Sequence, residues 1–71
     1  MNEREKKRFA ANKRVEIEEL VEELHEEPGK PYTSTVIGCK LRTVAQKCGK
    51  EYANEIVRDL MLTEIGIQEV A

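Results

Sequence analysis

Apolar residues recur at helical spacing on both sides of a single proline–glycine break, so an all-α fold is the expectation. The break is Glu27 to Pro31. Pro28 disfavours helical geometry at Glu27, Gly29 permits a turn, and Pro31 keeps Lys30 extended. Before the break, Ala10, Ile17, Leu20, Val21 and Leu24 share one helical face, with Val15 on the opposite side. Asn2 followed by Glu5 has the form of a capping box. The spacing predicts a helix over 3–26, firm from about residue 10 and frayed before it. Residues 1–9 then read as a charged arm and 10–71 as a single helical domain.

After the break, Ile37, Leu41, Val44, Ala45 and Cys48 fall at i, i+4, i+7, i+8 and i+11, predicting a helix over 35–48. The β-branched residues between Tyr32 and Gly38 would also suit a short strand, and their Thr and Ser a helix N-cap. The length of the stripe favours the helix. Gly49 stands where a helix-ending glycine belongs. A third helix is expected over 50–62, with Ala53, Ile56, Val57 and Leu60 inward and Tyr52 and Met61 flanking. Gly66 stops it, and Ile65, Ile67 and Val70 are too few to define a strand.

A chain of 71 residues buries only about 60% of its unfolded surface and rarely holds more than roughly 3–5 kcal/mol without a staple. Cys39 and Cys48, nine residues apart, would be separated by about 13 Å along one helix, too far for a disulfide. With one histidine and no Cys-x-x-Cys pair, no zinc site of ordinary ligand count can be assembled. Both thiols are expected to be reduced and buried as small hydrophobes. That expectation, with no apolar run of about 20 residues and no signal core after the charged N-terminus, suggests a cytoplasmic protein with no membrane segment. Association with another chain is left as the staple.

Charged residues make up 37% of the chain and the net charge is −2, which argues against a general nucleic-acid binder. The charges are segregated. Residues 1–15 hold six basic and two acidic groups, net +4; residues 16–27 hold seven Glu and no base, net −7; the remainder is near neutral at +1. A basic first half and acidic second half oppose the helix macrodipole. Pairs such as Glu18–Glu22 and Glu19–Glu23 also repel at i,i+4. An antiparallel copy of the same helix would offset both faults.

The segment Leu41 to Gly49 resembles the first helix and turn of DNA-binding helix-turn-helix domains. The resemblance rests on Ala45, a small residue four places before the turn glycine Gly49, with core-facing Val44 and Cys48 just before each. It implies a helix–Gly–helix corner and covers about nine residues. Past Gly49 the pattern departs: Ile56 and Val57 come one place late, and the reading helix would expose Glu51, Glu55 and Asp59 against Arg58. An acidic reading helix opposes phosphate attraction. Candidate nucleic-acid contacts are a basic strip of Lys40, Arg42, Lys47 and Lys50, with Asn54 and Arg58 as base readers.

Glu22-x-x-His25 is half of the motif used by carboxylate di-iron bundles, but a solvated Glu run with a helix-end histidine accounts for it more simply. Neither cysteine has a second histidine to serve it, no glycine-rich phosphate loop occurs, and three short helices leave little room for a substrate pocket. The expectation is therefore a non-enzymatic protein without cofactor, metal or small-molecule substrate. It would be a small regulatory or adaptor domain acting by helix-mediated association, with itself as partner. A helix-turn-helix-like DNA-binding regulator is the alternative. Phe9, Val15, Tyr52 and Met61 are the candidate protein-contact residues.

Overall fold

A computed structural model describes residues 1–27 and 32–70. They form three α-helices, α1 (Glu3–Glu26), α2 (Tyr32–Cys48) and α3 (Lys50–Asp59), followed by a 3-10 turn at Leu62–Ile65. The all-α expectation holds, and the described residues contain no strand. The Pro28–Pro31 break lies outside the described residues.

At about 1.5 Å per residue, α1 alone matches the 39 Å long axis of the molecule. The Asn2 side chain caps α1, accepting from the Glu5 backbone N–H at 2.8 Å. The 1–9 arm, expected to fray, is part of this helix from Glu3 onward. Among the described residues, two hydrogen bonds tie it to α2 and α3. The Cys48 thiol donates to the Lys6 carbonyl at 3.4 Å, and the Tyr52 hydroxyl donates to Glu3 at 2.7 Å.

The core takes Ala10 and Ile17 from α1, Ile37, Leu41, Val44 and Cys48 from α2, Ala53, Ile56 and Val57 from α3, and Leu62 beyond it. Helix α2 starts at Tyr32, earlier than the expected residue 35. Thr33, four residues before Ile37, continues the buried stripe, so packing extends the helix through a residue that reads as polar. Cys48 is buried, but Cys39 is exposed, correcting the expectation of two buried thiols. At about 100° per residue, Cys39 lies roughly 200° around α2 from the buried Ile37.

Thr33 is 1% exposed and its hydroxyl oxygen has no hydrogen-bond partner among the described residues. A buried polar group left unpaired costs about 1–3 kcal/mol. Thr33→Val, which swaps the hydroxyl for a methyl of similar shape, is expected to stabilise the domain by about 1 kcal/mol. Thermal melts should show a rise of roughly 4–8 °C in Tm. A lower Tm would mean that the hydroxyl is bonded in solution.

Gly49 joins α2 to α3 at φ +107°, ψ +153°, a region essentially closed to other residues. Apart from its two chain neighbours, no atom of the described residues lies within 4 Å of where its Cβ would stand, so backbone conformation and not space demands glycine there. Helix α3 ends at Asp59, three residues short of the expected boundary. The cause is Met61, which is left-handed at φ 53°, ψ 42°. Continued as a helix, Leu62 would point away from the Ala53–Val57 face. The left-handed step turns it into the core, where it is fully buried. Gly66, at φ +90°, then closes the 3-10 turn. Its N–H donates to Thr63 and that of Ile67 to Leu62, a Schellman ending with Leu62 and Ile67 as the apolar pair.

Candidate interaction surfaces

The basic strip expected on α2 does not form one surface. Lys40 and Lys47, seven residues apart, both lean toward α1. Lys40 Nζ pairs with Glu16 at 2.7 Å, and Lys47 Nζ stands 5.8 Å from the centre of the Phe9 ring, which Lys13 flanks at 5.6 Å. Arg42 lies around the helix from Lys40 and is exposed, as is Lys50 at the start of α3. The two proposed base readers are engaged by the C-terminal segment. Asn54 donates to the Val70 carbonyl at 2.9 Å and accepts from the Val70 N–H. Arg58 pairs with Glu69 at 2.7 Å.

The four expected protein-contact residues divide evenly. Phe9 and Tyr52 are half-buried and pack against the core. Val15 and Met61 face solvent at 54% and 59% exposure. Tyr52 reaches back across the fold to Glu3, a contact with no signature in the sequence. This hydrogen bond is the main reason the Glu3 carboxyl is held below its ordinary value and the Tyr52 hydroxyl is pushed up to about 12. A raised folded-state value means the contact is intact below the unfolded tyrosine value of about 10 and is lost as pH climbs toward 12. With Tyr32→Phe leaving Tyr52 as the only tyrosine, absorbance at about 295 nm should titrate with a midpoint near 12. Adding Glu3→Ala should return it toward about 10; an unmoved midpoint would show that another group holds the hydroxyl.

On α1 several charges flanking the core are paired within the fold. Lys6 pairs with Glu3, Lys13 with Glu16, and Arg14 with both Glu18 and Asp59. Glu16 is held below the ordinary carboxylate value, chiefly by the hydrogen bond from Lys40. Arg14 is pushed upward, chiefly by its bond to Glu18. The outward face differs. Arg4, Arg8, Ala11, Val15, Glu19, Glu22 and Glu26 are all exposed, and at about 100° per residue they fall within an arc of roughly 80°. Among the described residues, none of the five charged members makes an ion pair. The result is an uninterrupted ridge about 33 Å long, basic at one end, small and apolar at the middle, acidic at the other.

Two surface clefts accompany these elements. One, of about 270 Å³, lies between α1 and α3 and is lined by Lys7, Ala10, Ala11, Arg14, Tyr52, Glu55 and Ile56. The other, of about 600 Å³ and more open, surrounds Gly49 and the start of α3, with Glu3, Lys6 and Lys50 on its walls. Glu22 and His25 are exposed. Among the described residues, no group of three or more His, Cys, Asp or Glu is placed to hold a metal ion, and no helix is long and apolar enough to cross a membrane. Comparison with protein-family models, curated proteins and solved structures returns no match for this chain.

Proposed function

We propose that this chain is a small, non-enzymatic regulatory or adaptor domain that works by associating with a second copy of itself through helix α1. The outward ridge of α1 carries the reading: its charges are segregated end to end and, among the described residues, unpaired, while Lys13, Arg14 and Glu16 beside the core are paired internally. Like charges at i,i+4 along the ridge, Arg4 with Arg8 and Glu22 with Glu26, destabilise an isolated helix by about 0.2–0.5 kcal/mol each. A partner of opposite polarity removes that cost. The helix-turn-helix alternative draws support from the α2–Gly49–α3 corner, but Lys40, Asn54 and Arg58 are already engaged within the fold.

Sedimentation velocity with a random DNA duplex separates the two. At low salt the protein should sediment heavier than its 8.2 kDa monomer and leave the DNA free. Association should weaken as salt shortens the screening length from about 10 Å at 0.1 M to about 3 Å at 1 M. A monomer at every salt concentration would overturn the reading. Protein moving with the DNA at low salt would favour the alternative.

A further inference from the structure

The outward ridge of α1 specifies how two copies would meet. Its positions are spaced 4, 3, 4, 4, 3 and 4 residues apart from Arg4 to Glu26, a series that reads the same from either end. Val15 is its midpoint, eleven residues from each terminus of the ridge. Two antiparallel copies related by a two-fold axis through Val15 set every residue i opposite residue 30 − i. Arg4 then faces the partner's Glu26 and Arg8 the partner's Glu22, and symmetry makes each pair twice. At the centre the two Val15 side chains meet, flanked by Ala11 opposite Glu19, where the small alanine leaves room for the longer side chain facing it.

We infer that α1 is the interface of an antiparallel, two-fold symmetric dimer in register about Val15. This inference rests on the self-association reading and adds the surface, orientation and register. The occupant is a second copy because the same strip is its own electrostatic complement: a C2 interface requires a self-complementary patch, and this sequence of charges supplies one. A parallel arrangement would instead stack Arg4 and Arg8 on themselves and Glu22 and Glu26 on themselves. The interface is polar apart from its centre, so the dimer should be weak and salt-sensitive. Opposite charges across it set orientation more than affinity.

Charge exchange tests the pairing. Arg4→Glu with Arg8→Glu, and separately Glu22→Lys with Glu26→Lys, should each weaken self-association at low salt by at least about tenfold. Mixing the two variants should restore a dimer, since every pair is again of opposite sign. Circular dichroism should show both folded, because all four positions are exposed.

Engineered cysteines in a Cys39→Ser background then fix the register. Under oxidising conditions Val15→Cys should cross-link to itself. Glu26→Cys should not, since its two copies would lie about 33 Å apart, but it should cross-link when mixed with Arg4→Cys. A dimeric parent whose association is unchanged in both charge variants would overturn this interface and leave self-association to another face. Cross-linking of Glu26→Cys to itself would overturn the antiparallel orientation. A monomeric parent would overturn both the inference and the reading beneath it.

Discussion

Replacing Ile17 with alanine is expected to unfold most of the domain at 25 °C. Ile17 is the one large side chain of α1 that is fully buried; the helix's other core residue is Ala10. Truncating a buried isoleucine costs about 2–5 kcal/mol through lost burial and a residual cavity, against a total of roughly 3–5 kcal/mol for a domain of this size. The polar ties from α1 to the rest of the fold are exposed for Glu3 to Tyr52 and Arg14 to Asp59 and only partly buried for Glu16 to Lys40, and they cannot substitute. Urea titration followed by circular dichroism should show little or no folded baseline for Ile17→Ala. Ile17→Val should keep a cooperative transition shifted by about 0.5–1.5 kcal/mol. Both should be measured at several protein concentrations, since dimerisation adds stability that depends on concentration. An Ile17→Ala transition within about 1 kcal/mol of the parent would mean that α1 does not dock through this residue.

Helical periodicity made most of the fold readable in advance. Ile37, Leu41, Val44 and Cys48 form an unbroken stripe, and all four are buried in the structure. What the periodicity misjudged were the ends. The start of α2 depends on Thr33, whose polar side chain hides its place in the core. The end of α3 depends on the left-handed Met61, which no local propensity favours in a methionine and which tertiary packing of Leu62 imposes.

The candidate surface was half legible. Charge segregation along α1 is written in the residue order, but which charges face outward depends on the orientation of the helix against α2 and α3. Phe9 and Tyr52, aromatic residues of the kind favoured at protein contacts, are half-buried and pack against the core. Val15 alone on α1 was visible from the start as an apolar residue on the wrong side, and it is the centre of the proposed interface.

Leu62→Ala is the second substitution expected to remove most of the stability, again by about 2–5 kcal/mol. Leu62 is fully buried although it lies beyond α3. Losing it removes both a core contact and the apolar anchor of the turn closed by Gly66 and Ile67. The residues after that turn cover Asn54 and Arg58, so the core and the covered face of α3 are tied through one side chain. Native-state hydrogen exchange should therefore show faster exchange throughout all three helices in Leu62→Ala. Asn54→Ala, which cuts only the ties to Val70, should speed exchange at residues 66–70 and leave the helices protected. If Leu62→Ala instead loosens only the C-terminal segment, that segment is a removable cover and not part of the core. Asn54 and Arg58 would then be available to a partner at small cost, and the balance between the two functional readings would shift toward nucleic acid.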